Sequence, residues 1–176
     1  MQIKTALMTF LFGISVIAAP VIAKDSKDHS GMFITRFAHQ GVAEINQAKL
    51  ALQMAKNPDM QALAKSQLAD HEALNKSLWA LAEKKSVTLS DTVTGRQKKV
   101  LDKLSKINDR NREFDREYLK IVIENHRHAI KVLEKQAKSG TDADIKAFAA
   151  EALPVYKKHY DEAISFKGRL SRKSEE

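Results

Sequence analysis

Apolar residues recur at steps of three and four along most of the chain beyond residue 31, which is the spacing of one helix face. One such stripe runs from Phe37 to Ala55, and comparable stripes occupy 60–81, 115–133 and 149–170. The 176 residues include only six glycines and three prolines, which is too few turn residues for a many-stranded sandwich or barrel. The pattern predicts four long amphipathic helices.

Turn signals separate these stripes. Asn57-Pro58 combines a favoured N-cap with the residue favoured at the first helical position. Ser139-Gly140 is typical of a helix end, and Thr141-Asp142-Ala143-Asp144 resembles a capping box. A polar, β-branched connection at 86–95 and a short basic helix at 96–107 stand between the second and third long helices. We therefore predict an antiparallel four-helix bundle with one additional short helix.

The first 23 residues have the parts of a secretory signal. Lys4 precedes an apolar run, and the small residue Ala23 ends the segment just before a charged stretch. The run is shorter than the ~20 residues of a membrane-spanning helix. We predict a cleavable signal peptide at 1–23, a flexible lead-in at 24–30, a bundle domain at 31–170 and a charged tail at 171–176. Retention of the signal as an anchor stays open, and the expected location is the periplasm or cell envelope.

Charge and the absence of cysteine exclude several functions. Thirty Lys and Arg stand against 22 Asp and Glu, and in an exported chain this excess favours anionic envelope lipid or glycan over nucleic acid. The basic run on the short helix is the candidate surface, and a homo-oligomer stays open. Without cysteine there are no disulfides or thiolate ligands. No phosphate loop or nucleophile elbow is present, so neither an organic cofactor nor a catalytic residue is predicted. The basic run comprises Arg96, Lys98, Lys99, Lys103 and Lys106.

Ionisable residues occupy positions on the apolar stripes, where burial costs several kcal/mol unless the group is paired or bound. From the helical rise, Glu44 and His71 lie ~20 Å from the first tight turn, His126 ~21 Å and His159 ~26 Å from the second. If the helices alternate in direction, both turns lie at one end. The first three residues then share a layer, and His159 is about one turn away. Asp115, ~16 Å from His126 along the axis, cannot join that layer.

Three imidazoles and one carboxylate in a bundle core suit a first-row transition metal. We predict a metal site with Glu44 as carboxylate ligand and His71, His126 and His159 as imidazole ligands. Asp70 is a candidate additional ligand, and zinc, copper and iron are the candidate ions. The alternative, from another class of protein, is a non-enzymatic envelope interaction module whose metal-free polar layer fixes helix register.

Five short elements resemble, in their order and spacing, a bacterial family of domains of unknown function commonly labelled "predicted outer-membrane protein". The resemblance covers about 32–163 and implies an exported all-α, ferritin-like four-helix bundle of undefined biochemical role. The resemblance implies suspected roles in metal binding and stress response, and for this chain we expect a role in envelope stress or metal homeostasis. The elements are Ala43-Glu44, Asp70-His71, Phe114-Asp115 followed by Tyr118, His126, and Leu153-Pro154 followed by His159.

One departure from ferritin-like proteins restricts the chemistry. Their di-iron centres use Glu-x-x-His on two helices. Here the residues three positions before the stripe histidines are Leu68, Ile123 and Tyr156. An oxygen-rich centre that oxidises and stores iron is therefore not expected, and any site is rich in histidine.

Overall fold

The computed structural model describes residues 24–93, 95–108 and 113–172, and every regular element in these ranges is an α-helix. The predicted all-α fold, with four long helices and a short one between the second and third, is confirmed. No helix in the described ranges has the length and apolar content that crossing a membrane requires. The helices are α1 (Lys24–Met54), α2 (Pro58–Lys84), α3 (Gly95–Ser105), α4 (Glu113–Ser139) and α5 (Ala143–Arg172).

The outer boundaries differ from those predicted. Helix α1 begins at Lys24, so the segment 24–30 is helical and not the flexible lead-in expected from its polar composition. A tertiary contact accounts for part of this order, because the buried Ser30 hydroxyl donates to Asp142 Oδ2 at 2.8 Å. Helix α5 extends to Arg172, two residues into the predicted tail. The predicted signal peptide at 1–23 and residues 173–176 lie outside the described residues.

Side-chain caps start two of the helices. The Asn57 side chain accepts from the Asp59 N–H at 2.8 Å with Pro58 directly after it, as predicted. At the start of α5 the capping residue is Asp142 and not Thr141. Its Oδ1 accepts from the N–H groups of Asp144 (3.0 Å) and Ile145 (3.3 Å). A carboxylate at this position satisfies two amide donors that the helix itself leaves unpaired.

Contacts at the two ends of the bundle define the directions of the helices. Near the start of α4, the Asp115 carboxylate accepts from the backbone N–H groups of Lys56 (3.2 Å) and Asn57 (3.1 Å) in the α1–α2 turn. At the opposite end, Lys85 follows α2 and pairs with Asp142 in the α4–α5 turn at 2.7 Å. The two tight turns therefore lie at opposite ends, and the expectation that they share one end is wrong.

The chain between α2 and α4, which includes α3, consequently connects opposite ends of the bundle. Two antiparallel hairpins, α1–α2 and α4–α5, joined by one long crossover have the connectivity of ferritin-like bundles. Helix α2 packs against α5 and α1 against α4, so spatial neighbours remain antiparallel. Helix α3 lies against α1 and α4, where its Leu104 is fully buried.

The core consists of two apolar clusters separated by a polar layer. One cluster lies toward the α4–α5 turn and is rich in aromatic rings, and the other lies toward the α1–α2 turn. The buried polar residues between them divide a core that would otherwise be continuous. The first cluster includes Phe33, Phe37, Leu78, Phe148 and Tyr156; the second includes Met60, Leu63, Leu104, Phe114 and Tyr118. The layer includes Glu44, His71, His126 and His159.

We predict that Asp142→Asn destabilises the protein by about 1–2 kcal/mol at pH 7, because asparagine keeps the cap but loses the charged bond to Lys85. Burial opposes ionisation, but hydrogen bonds from Lys85, Ser30 and the Ile145 N–H lower the pKa of Asp142 to about 2. Its stabilising effect is complete above the unfolded value of 3.8 and is lost as the pH falls through 2.

Urea denaturation of wild type and variant at pH 7 and at pH 2 checks this prediction. The two should differ at pH 7 and converge at low pH. Asp161→Asn, an exposed change on the same helix, is the matched control and should have no effect. A deficit of the Asp142 variant that is the same at both pH values would contradict the ionic origin of the effect.

Candidate metal centre

The bundle places one ionisable side chain from each long helix at its mid-height. His71 and His126 are the central residues of α2 and α4, and Glu44 and His159 reach the same level from α1 and α5. Their exposed fractions are 4% for Glu44, 1% for His71 and His126, and 0% for His159. With so little exposure, water cannot satisfy these groups, and the protein or a ligand must do so.

The three imidazole rings form a compact triangle. Ring centroids are 5.4 Å apart for His71 and His126, 5.2 Å for His71 and His159, and 5.4 Å for His126 and His159. One nitrogen from each ring can be chosen so that all three lie within 4.8 Å of one another. The structure thus brings the predicted histidines together. The ring of His159 joins the other two, although its position in α5 was expected to lie about one turn away along the bundle.

The nitrogens of His71 and His126 face each other without a satisfactory proton arrangement. His126 Nδ1 donates to the Val122 carbonyl at 3.0 Å, which leaves a lone pair on its Nε2. That atom lies 3.3 Å from His71 Nε2. If His71 Nε2 is unprotonated, two lone pairs oppose each other. If it is protonated, the lone pair on His71 Nδ1 is left buried without a hydrogen bond. Either tautomer leaves an imidazole nitrogen unsatisfied, which a cation between the rings would remedy.

The separation of these nitrogens is itself informative. Zinc-type ions bind histidine nitrogen at about 2.0–2.1 Å, so two ligand nitrogens in a tetrahedral site lie about 3.3–3.4 Å apart. The observed Nε2···Nε2 distance is 3.3 Å. The pair therefore already has the spacing of two ligands of one ion.

His159 is held by a carboxylate on its outer side. Its Nε2 lies 2.9 Å from Asp70 Oδ2, and Lys158 Nζ lies 2.9 Å from the same oxygen. With the proton on Nε2, the remaining lone pair is on Nδ1, which is buried and has no hydrogen-bond partner among the described groups. A carboxylate that fixes the tautomer of a histidine in this way is typical of the surroundings of metal-binding imidazoles.

Glu44 contacts the rings on their Nδ1 sides. Its Oε2 lies 3.5 Å from His71 Nδ1, and its Oε1 lies 3.9 Å from His126 Nδ1. The Tyr156 hydroxyl donates to Oε2 at 3.0 Å, and Gln40 Nε2 donates to Oε1 at 2.9 Å. Burial raises the pKa of Glu44, although His126, Gln40 and Tyr156 oppose this. The carboxylate thus lies behind the facing Nε2 atoms and contacts the rings at their opposite edges.

Burial also determines the protonation of the histidines. It lowers the pKa of His71 and of His126 to about 3, and it lowers the pKa of His159 despite the opposing effect of Asp70. All three rings are therefore neutral at neutral pH, which is the form that binds metal ions. The neutral donor set and its unsatisfied nitrogens fit a transition-metal ion.

Other predicted residues lie elsewhere. Asp115 is buried, and its carboxylate accepts hydrogen bonds from the α1–α2 turn at one end of the bundle, so it does not join the layer. Part of the basic run on α3 is neutralised, because Lys98 pairs with Asp102 and Lys103 pairs with Glu117.

Three groups around the layer were not among the predicted site residues. Tyr156 and Gln40 bond Glu44, and Lys158 bonds Asp70. Helical spacing could have indicated two of them, since Gln40 is one turn before Glu44 and Tyr156 is three residues before His159. One turn from His71, Gln67 accepts from the Tyr118 hydroxyl, and its Nε2 is buried without a partner among the described groups.

Comparisons with known proteins agree with the fold. Residues 18–165 match the family described as a domain of unknown function, DUF4142. No curated protein matches the sequence. The structure is similar to a crystal structure of a DUF305 fragment from Deinococcus radiodurans, with a TM-score of 0.68 and 10% identity over 82% of this chain and 96% of that one. It is also similar to CopM in the Cu(I)-bound form, with a TM-score of 0.65 and 18% identity over 79% and 95%.

We predict that the metal-free protein loses stability as the pH falls from 6.5 toward 3. The folded state keeps His71 and His126 unprotonated while the unfolded chain protonates them, so their contribution is complete above 6.5 and is lost at lower pH. Each such histidine adds up to about 1.4 kcal/mol per pH unit to the slope.

Denaturation of chelator-treated protein at pH 7, 6 and 5 measures the slope. His71→Leu should reduce it by about 1.4 kcal/mol per pH unit near pH 5. The control, His128→Leu, removes an exposed histidine of α4 and should leave the pH dependence of stability unchanged. Equal slopes in all three proteins would show that the buried ring does not resist protonation.

Proposed function

This chain belongs to the DUF4142 family, and we propose that it binds one copper(I) ion between His71, His126 and His159. The main support for this proposal is the pair of facing Nε2 atoms of His71 and His126. Their separation is that of two ligands of one metal ion, and neither tautomer of His71 gives both rings a complete set of hydrogen bonds. When bound, the ion would supply a positive charge to the free lone pairs. The protein would supply burial, orientation and neutral donors.

The charge of the layer supports a monovalent ion. Glu44 is the buried carboxylate of the layer, with 4% of its surface exposed, and the charge of Asp70 beside His159 is already balanced by Lys158. Copper(I) with one carboxylate carries no net charge, whereas a divalent ion leaves one positive charge in an apolar environment, where charge is costly. Imidazole is also a suitable donor for copper. The similar structure of CopM is described in a Cu(I)-bound form, which makes copper the first ion to test.

In this proposal the two carboxylates act from outside the histidine triangle. Asp70 fixes the tautomer of His159 through a 2.9 Å bond. Glu44, in contact with the Nδ1 edges of His71 and His126, balances the charge of the ion. The sequence-based assignment of Glu44 as a direct ligand thus becomes a proposal that it acts through the rings it contacts.

We further propose that the protein is exported and serves metal homeostasis in the periplasm or cell envelope. This rests on the signal-like segment at 1–23 and on a site that holds an ion without offering a dedicated acid, base or nucleophile beside it. We propose no reaction. Fractionation of cells expressing the full chain, with N-terminal sequencing of the periplasmic form, tests export.

We predict that the purified chain binds one equivalent of copper(I) under anaerobic conditions. At a free-copper concentration 100 times Kd, binding should stabilise the fold by about 2.7 kcal/mol. His126→Leu should abolish both the bound copper and the stabilisation, while the exposed His128→Leu changes neither. Elemental analysis and denaturation with and without copper provide the measurements.

The same variants distinguish the alternative of a metal-free polar layer. If the layer only fixes helix register, leucine at position 126 is tolerated or stabilising, and copper, zinc and iron leave the wild-type protein unchanged. Binding of zinc in preference to copper(I) would contradict the charge argument while retaining the site.

We predict that Glu44→Gln weakens copper(I) binding about 10–100-fold, the usual effect of removing a group that supports a metal ligand. Glutamine keeps the size and an oxygen acceptor for Tyr156 but removes the charge. Competition with a chromophoric copper(I) chelator measures the affinity, and Asp161→Asn is the charge-matched control on the surface. An unchanged affinity would remove Glu44 from the site.

A further inference from the structure

One side of the bundle is closed by polar contacts. Along the α2–α5 seam, ion pairs join Asp59 to Arg169 at 2.9 Å, Asp70 to Lys158 at 2.9 Å and Lys84 to Asp144 at 2.6 Å. The middle pair lies directly outside His159, which Asp70 also contacts. A ligand approaching the histidines from this side would have to break that pair.

The opposite side is open. A cavity of about 530 Å³ lies between α1 and α4, with the first residues of α3 in its wall. We call it the α1–α4 groove. Between α1 and α4, the contact of this kind is the buried one of Glu44 Oε1 with His126 Nδ1, at 3.9 Å. The residues lining the groove include Arg36, Phe37, Gln40, Gln47, Arg96 and Arg127.

Residues that line the groove contact groups that support the histidine layer. Gln40 lines it and donates to Glu44 Oε1 at 2.9 Å. Phe37 lines it and packs edge-on against Tyr156, with ring centroids 6.3 Å apart, and the hydroxyl of Tyr156 bonds Glu44. Asn125, adjacent to His126 in the chain, lines it as well. One side chain, Gln40, therefore links a ligand in the groove to the carboxylate of the layer.

The residues that line the groove carry more positive than negative charge, which favours an anionic ligand. Arg36, Arg96 and Arg127 line it, and none of them forms an ion pair with a carboxylate in the part of the chain that the structure describes. Glu124 is the carboxylate that lines the groove with them. Three guanidinium groups against one carboxylate repel a free cation and attract an oxyanion, which arginine binds through paired hydrogen bonds.

We infer that the α1–α4 groove is the entrance to the histidine layer and that it receives copper(I) within an anionic complex that bears free carboxylate groups, instead of as a free cation. This rests on the proposed function. The step is a ligand exchange in which copper remains copper(I), the histidine nitrogens replace the ligands of the chelate, and the chelator leaves as a free anion. The arginines bind and orient the chelate and do not hold the ion.

Stopped-flow transfer of copper(I) from two carriers tests this inference. The anionic carrier is the copper(I)–bicinchoninate complex, and the cationic carrier is the copper(I)–acetonitrile complex. The test protein is the triple variant Arg36→Gln/Arg96→Gln/Arg127→Gln. The matched control is Lys56→Gln/Lys65→Gln/Lys76→Gln, which removes three charges from exposed positions on the α1–α2 hairpin.

The arginine variant should take copper from bicinchoninate about tenfold more slowly than the lysine variant at low salt, and the difference should shrink as salt increases. Transfer from the cationic complex should not slow. Final copper content should be equal, since the arginines do not hold the ion. Equal transfer rates from bicinchoninate in the two variants would overturn the inference.

A second substitution tests the route independently of charge. Asn125→Trp fills the groove and should slow transfer from both carriers without changing the final copper content. Ala80→Trp, on the exposed face of α2, should have no effect. Unchanged rates in the Asn125 variant would show that copper enters elsewhere.

A metal-free measurement separates this inference from the proposed function. Titration of the apo protein with citrate should show binding that the arginine variant weakens at least tenfold and the lysine variant leaves within twofold. If the chain binds citrate in this way but takes up no copper, the groove is an anion site and the copper proposal fails. If it binds copper but not citrate, the copper proposal stands and the groove inference fails.

Discussion

Two buried imidazole nitrogens, 3.3 Å apart on His71 and His126, are the constraint around which this bundle is organised. Neither tautomer of His71 satisfies the nitrogens of both rings with hydrogen bonds from the described groups, and burial keeps both rings neutral by lowering the pKa of each to about 3. Such a layer does not contribute the favourable burial that leucine would. The apolar clusters on either side must therefore supply the stability that holds the histidines in place.

Much of this organisation follows from local patterns. The stripe spacing predicts the long helices, and Asn57-Pro58 marks the start of α2 as observed. Ionisable residues on apolar stripes identify the layer because each would be costly to bury alone. Helical periodicity carries no information about which ends of helices meet, so the crossover that reverses the second hairpin was not predicted. His71 and His126 still lie at the same height, because each is the central residue of its helix and is equally far from both helix ends.

The details that determine the chemistry depend on contacts between residues far apart in the chain. Glu44 and Tyr156 are 112 residues apart, as are Ser30 and Asp142, and no local pattern indicates either bond. The tautomer of His126 depends on the Val122 carbonyl, one turn earlier, whose acceptor role becomes visible only with the ring orientation. Composition likewise showed a positive excess, but only the packing of α1, α3 and α4 shows that three arginines line one groove.

The connectivity has a thermodynamic consequence for a chain that contains no cysteine. His71 and His126 are separated by 55 residues that include the whole crossover between the hairpins. An ion held by both would connect the two hairpins in the folded state, and because the unfolded chain does not form the site, the free energy of binding the ion would add to the stability of the fold. A single ion would thus act as a reversible staple between the two hairpins, present or absent according to the supply of metal.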